Sequence, residues 1–296
     1  MSSPYGAIAY GCWRFAGTSV AVAQSKIETA LECGMTLIDT ADIYGYSGGV
    51  PAVDGGSGFG AAEELLGRVL RGSPQLGEQV TLATKGGIFP PVPYDSSATY
   101  LRGAAEDSLR RLGVEHVGLY QVHRADLLAH PQSVASVLDE LVSSGKVGSV
   151  GVSNHTVAQT EALASFMESP LATTQPEFSP LALTPIGDGT LDHAMRESLV
   201  PLAWSPLAGG RLGSPAPDDE RANAVVEVVD RIASEQGVSR SAVVLAWVMR
   251  HPAGCVPIVG SQQPERIREC ARAVEVVLSR DEWYEILVAG RGEPMP

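Results

Sequence analysis

The residues best able to do chemistry lie in Met35–Gly45, which reads MTLIDTADIYG. A short apolar run, Thr36-Leu37-Ile38, stops at Asp39, and Tyr44 follows in a polar turn closed by Gly45. A run this short after Gly34 predicts a buried strand, so a carboxylate and a phenol leave one end of a sheet together. Parallel α/β proteins keep their chemistry at that end. Lys85 and His123 end two further β-like runs. Lys85 is one of three lysines against eighteen arginines, and a chain that otherwise uses arginine places a compact ammonium here. Held beside Asp39, that ammonium is expected to lower the phenol of Tyr44 from its ordinary pKa of about 10 toward a general-acid range. Each residue alone has an ordinary reading: a capping Asp, a loop Tyr, a rim Lys, a satisfied core His. Four together on neighbouring strands are improbable as accident.

The elements that must position them alternate. Strands are predicted at Ala7–Tyr10, Leu37–Asp39, Val80–Thr84, Val117–Val122, Val147–Val152, Ala172–Glu177, Leu199–Trp204 and Val256–Val259. Helices are predicted at Val22–Cys33, Ala61–Arg71, Ala98–Leu112, Pro131–Ser143, Val157–Met167, Leu191–Ser198, Ala222–Gln236 and Pro264–Val276. Two more are predicted at Arg240–His251 and Asp281–Ala289. Eight strand–helix units with no linker between them predict an α/β fold, a single (β/α)8 TIM barrel spanning residues 1–296. A doubly wound sheet is the competitor, but no Gly-x-Gly-x-x-Gly follows the first strand. The glycine-rich stretch Gly45–Gly60 is either a lid or a tolerated insertion.

Composition narrows the function. With 296 residues, 44% of them hydrophobic and 19% charged, the chain can bury a large core. A formal charge of −13 argues against nucleic acid or an anionic membrane as partner, and an anionic cofactor would need local basic groups. Four scattered cysteines, no leader pattern and no apolar run of about 18 residues predict a soluble, cytoplasmic enzyme. No metal-ligand spacing, GxSxG elbow or Walker loop occurs.

With these residues in view, the chain resembles the aldo-keto reductases over nearly its whole length. The markers are IDTADIYG, ATKGG, QVHRAD, GKVGSVGVSN, QPEFSPL, AWSPLAGGRL and VPIVGSQQPERIRE, in the family's order. The resemblance implies a barrel that reduces aldehydes or ketones with NADPH, with the catalytic tetrad on Asp39, Tyr44, Lys85 and His123. It places the nicotinamide carboxamide on Ser153, Asn154 and Gln175, and the nicotinamide ring on Trp204, where many members carry Tyr. It places the pyrophosphate on Ser205, Leu207, Gly209 and Gly210, and the adenosine end on Ser261, Gln262, Arg266 and Glu269. Trp13 and Phe89 are the expected substrate contacts. Gly260 and Cys270 stand where many members have Lys and Asn, which leaves NADH possible as cofactor. The usual N-terminal hairpin under the barrel is lacking, and Met1–Tyr5 is not expected to replace it. A nucleotide-sensing subunit without catalysis, as in potassium-channel β-type relatives, is the alternative function. An aldolase using Lys85 as a Schiff-base amine is a third.

Overall fold

The computed structural model describes residues 3–48, 58–216 and 218–296. Eight parallel strands close into a barrel in sequence order. They are β1 (Ala9–Gly11), β2 (Leu37–Asp39), β3 (Thr81–Gly86), β4 (Val117–Val122), β5 (Val147–Ser153), β6 (Leu171–Gln175), β7 (Val200–Ala203) and β8 (Val256–Val259). Around them run α1 (Val20–Glu32), α2 (Ala61–Gly72), α3 (Pro74–Gly77), α4 (Ala98–Leu112), α5 (Pro131–Ser143) and α6 (Val157–Ala164). The ring continues with α7 (Thr184–Gly187), α8 (Thr190–Glu197), α9 (Glu220–Gln236), α10 (Arg240–Met249), α11 (Pro264–Ala271) and α12 (Arg280–Arg291).

The expected units are all present, with shifted ends. β3 runs on to Gly86, so Lys85 lies inside the strand, paired in register with Gln121 of β4. The helix expected over Pro264–Val276 stops at Ala271 and tightens into a 3-10 turn, Arg272–Glu275, a frequent way for a helix to end. The short helices α3 and α7 carry no apolar periodicity and were not expected. Local chemistry explains several boundaries. Ser19, Ser97, Ser239 and Ser279 cap helix N-termini through their hydroxyls, and Gly113, Gly237 and Gly292 take the left-handed turn that ends a helix.

Alternate strand residues fill two layers. Tyr10, Ile38, Leu82, Tyr120 and Val150 belong to the large core shared with the helices, while Ala9, Leu37, Ala83, Leu119, Leu202 and Val256 form a separate cluster. That second cluster includes Tyr5, which is buried and shares a hydrogen bond with Ser149 of β5 at 3.1 Å. Residues 3–5 form no hairpin, and of them Tyr5 contributes its ring to this inner cluster. On the far side, Trp247 of α10 and Trp283 of α12 stack with centroids 5.1 Å apart and planes 9° apart. Each indole N–H donates to the other residue's carbonyl at 3.0 Å, which locks α12 to α10.

Candidate active site

Asp39 ends β2 and Lys85 comes from the adjacent β3, so their side chains meet inside the barrel. Lys85 is fully buried, and its ammonium donates to Asp39 Oδ2 at 2.7 Å, to the Thr40 carbonyl at 2.8 Å and to the Tyr44 hydroxyl at 3.2 Å. All three protons of the ammonium thus have acceptors, as a charge at this depth requires. Burial alone would discharge Lys85, but Asp39 and Tyr44 outweigh it and hold its pKa above the ordinary value. Gln175 of β6 donates to the other Asp39 oxygen at 3.0 Å and fixes the carboxylate's plane.

Tyr44 differs from expectation. Burial raises its pKa, the Lys85 charge pulls it down, and Asp39 raises it again; the net direction is upward. The phenol is therefore a held proton donor at neutral pH, not a partly ionised one. His123 follows β4 and packs edge-on to Tyr44, with centroids 5.8 Å apart. Burial, then Lys85, then Arg124 lower its pKa well below the usual histidine value, so the ring is neutral. Its Nδ1 is buried with no partner among the described residues.

These groups open into a cavity of about 730 Å³ at the C-terminal mouth of the barrel. Asp39, Tyr44 and His123 line its floor, with Lys85 beneath them. Ser153, Asn154, Gln175 and Trp204 line it next, tied into one network. Asn154 donates to Ser153 Oγ at 2.7 Å, and the Trp204 indole N–H donates to Asn154 Oδ1 at 2.9 Å. A tyrosine at position 204 has no ring N–H for that bond. Ser205, Leu207, Gly209 and Gly210 form a winding wall in which Ser205 and Ala208 hold positive φ, a strain that gathers at ligand-binding loops. Ser261, Arg266 and Glu269 line the far end, and Trp13 lies exposed at the rim.

Two expected residues lie elsewhere. Phe89 is not a lining residue; it packs on Tyr100 of α4 at 5.1 Å and on Phe59 at 6.4 Å. Gln262 also turns from the cavity and accepts a hydrogen bond from Lys26 of α1 at 2.8 Å. Arg14, Arg124 and Arg240 line the cavity and were missed. Arg124 adjoins His123 in sequence, and that adjacency was the available signal. The Gly45–Gly60 stretch lies partly outside the described residues, so its role as lid or insertion does too. Its described base is pinched: a Cβ on Gly58 would fall 1.9 Å from the Gly45 carbonyl oxygen.

Behind the floor, between the barrel and α2 and α4, lies a second buried polar group. Glu63 is buried and pairs with Arg111 at 2.6 Å, and Tyr100 donates to Asp42 at 3.4 Å. Burial, then the nearby Glu63, push the Asp42 carboxyl up to about 8.

A parallel barrel whose strand ends gather a buried ammonium, a phenol and a neutral imidazole over one cavity has the parts of a carbonyl-reducing enzyme. The family model "Aldo/keto reductase family" matches residues 7–288, and the chain belongs to that family. It is an NAD(P)H-dependent oxidoreductase. The 6-dehydroglucose reductase of Novosphingobium aromaticivorans is 53% identical, over 98% of this chain and 93% of its own. The 6-dehydroglucose reductase of Agrobacterium fabrum is 38% identical, over 97% and 94%. A thermostable aldo-keto reductase, Tm1743, crystallised with the inhibitor epalrestat, superposes with a TM-score of 0.80 at 23% identity, covering 96% of this chain and 94% of that one. No helix among the described residues is long and apolar enough to cross a membrane.

Proposed function

We propose that this chain reduces the aldehyde of 6-dehydroglucose, or a closely similar sugar aldehyde, to the primary alcohol, with NADPH as preferred cofactor and in the cytoplasm. One observation carries the chemistry: the Tyr44 hydroxyl stands 3.2 Å from a fully buried ammonium on the floor of an open cavity. The sugar substrate rests on the two 6-dehydroglucose reductases that the chain resembles at 53% and 38% identity. The cavity's donor set suits a nicotinamide cofactor. Gln175 commits its amide nitrogen to Asp39, which leaves its amide oxygen for a carboxamide N–H. Trp204 is held by Asn154 and presents an aromatic wall, and Arg266 at the far end answers a phosphate.

When bound, the nicotinamide supplies a hydride to the carbonyl carbon. Tyr44 gives its hydroxyl proton to the carbonyl oxygen, and the phenolate left behind is balanced by the Lys85 ammonium until water returns the proton. Asp39 holds Lys85 in place, one of its oxygens accepting from the ammonium and the other from the Gln175 amide. Neutral His123, with its proton on Nε2, donates a hydrogen bond that orients the carbonyl and steadies the charge growing on its oxygen.

The aldolase alternative is disfavoured by the same geometry. Schiff-base formation needs a free amine, and Lys85 is charged and fully hydrogen-bonded. A binding-only subunit is disfavoured by the complete tetrad. The test is oxidation of NADPH, then of NADH, on adding 6-dehydroglucose, with glucose identified as product. Reduction of simple aldehydes with no response to 6-dehydroglucose would overturn the substrate, and cofactor binding without turnover across a carbonyl panel would overturn catalysis.

A further inference from the structure

Helix α1 packs along α11, and two side-chain hydrogen bonds tie it to that helix and the turn before it. Lys26 donates to Gln262 at 2.8 Å and Arg268 to Glu32 at 3.3 Å, and each bond spans 236 positions. Equal spans mean that the two segments run parallel in one register. Carried one step further, that register sets Cys33, the cap of α1, level with Glu269 and beside Cys270 in the last turn of α11. Burial, then Glu269, push the Cys270 thiol up to about 12, and charge on Cys33 adds to the rise. The two sulfurs therefore lie within electrostatic reach of each other.

The thiols differ in access. Cys270 is buried and lines the far end of the cavity beside Glu269. Cys33 is half-buried; burial raises its thiol, and the Arg268 guanidinium opposes that rise. Cys33 is thus the thiol that an oxidant reaches first, with Cys270 waiting behind it. Both sit at helix ends. Gly34 follows Cys33 at a φ of 76°, and the helix of Cys270 gives way to the 3-10 turn at Arg272. Helix ends fray more readily than middles, so small shifts there let the sulfurs meet in bonding geometry.

We propose that Cys33 and Cys270 form a redox-sensitive pair, whose disulfide ties the end of α1 to α11 and loosens the cavity's hold on its dinucleotide. The oxidant is hydrogen peroxide. The Cys33 thiolate attacks one peroxide oxygen, the O–O bond breaks, and the leaving hydroxide takes up a proton as water. The sulfenic acid left on Cys33 is attacked at sulfur by Cys270, so the S–S bond forms, the S–O bond breaks and a second water leaves. Two thiols are oxidised and one peroxide is reduced to two waters. The bond draws Cys270 away from the wall it shares with Arg266 and Glu269. The pairing of the thiols stands apart from the nicotinamide reading above; its effect on binding rests on that reading.

The experiment exposes the whole chain to hydrogen peroxide, blocks remaining thiols by alkylation, and reads peptide masses and the Kd for NADPH by tryptophan emission. In wild type the cross-linked peptide joins Cys33 to Cys270, the Kd for NADPH rises about tenfold, and dithiothreitol restores it. Cys33→Ser and Cys270→Ser each abolish the cross-link, and Cys33→Ser keeps the affinity of the reduced protein. By linkage, saturating NADPH makes the disulfide about tenfold easier to reduce in a glutathione buffer, a shift of about 30 mV. No cross-link between these two residues, a cross-link that leaves the Kd unchanged, or a loss of affinity that persists in Cys33→Ser overturns the proposal. A reduced wild type that binds no dinucleotide overturns the nicotinamide reading and with it the coupling to binding, while the peptide masses still judge the pair itself.

Discussion

Asp39 and Asp42 leave the same strand end three residues apart and meet opposite fates. Asp39 points into the barrel, where the Lys85 ammonium at 2.7 Å and the Gln175 amide at 3.0 Å answer its two oxygens. Asp42 points outward, toward α2 and α4, where the nearest cation, Arg111, is already paired with Glu63. Burial is nearly the same for both, so the difference lies in who owns the neighbouring cation. Inside the barrel, charge separation is kept and used for proton transfer. In the layer behind, one carboxylate is paired with arginine, and the second is pushed toward its neutral form.

The inner site can be broken most sharply at its acid. Tyr44→Phe removes the donated proton and keeps the ring, so turnover falls by about 10³ or more while cofactor binding persists, measured by steady-state rates and titration. Survival of turnover would move the acid elsewhere. Asp39→Asn strands Lys85 among neutral acceptors in the interior. Removing one partner of such a pair costs about 3–5 kcal/mol, read as a lowered urea midpoint, with a fall in kcat because the ammonium loses its anchor. Tyr5→Ala probes the floor beneath, far from the chemistry. It should cost about 3 kcal/mol by denaturant unfolding and leave kcat within about twofold, the pattern of a pure packing residue.

The outer carboxylate gives a smaller, pH-dependent effect. Asp42 has a folded pKa of about 8, raised from an ordinary value of 3.8, so the folded chain binds a proton that the unfolded chain has released between those values. Stability from this group is full below the ordinary carboxylate range, falls as pH rises through that window, and levels off above about 8. Asp42→Asn should flatten that segment of a melting-temperature profile. An unchanged slope would assign the dependence to another group.

The barrel, and the meeting of Asp39, Tyr44, Lys85 and His123 at its mouth, were legible because their signals are local. A three-residue apolar run ending in Asp39, and β-like runs ending near Lys85 and His123, state both the strands and the end at which chemistry gathers. The carboxamide residues and Trp204 follow from motif resemblance. Lys26 was not legible, since its partner Gln262 is 236 positions away and only the closure of β8 onto β1 brings α1 beside α11. The packing of Phe89 on Tyr100 and Phe59 was equally out of reach, because the three lie in separate segments that only the fold brings together. The net rise in the Tyr44 pKa was out of reach for the same reason: the partner charge is visible in sequence, but the burial that outweighs it is not. Tyr5 was overlooked because a lone aromatic before the first strand has no periodicity to place it.

The stacked indoles of Trp247 and Trp283 have a consequence for how this molecule can be watched. Two rings nearly parallel at 5.1 Å couple electronically only while α12 is docked on α10, so the circular dichroism of the pair reports that docking. Trp204 lies in the cavity wall and Trp13 at its rim, so emission changes on titration report the site. The chain thus carries two optical reporters, one for its architecture and one for its mouth, and a variant that silences one while sparing the other declares which of the two it has disturbed.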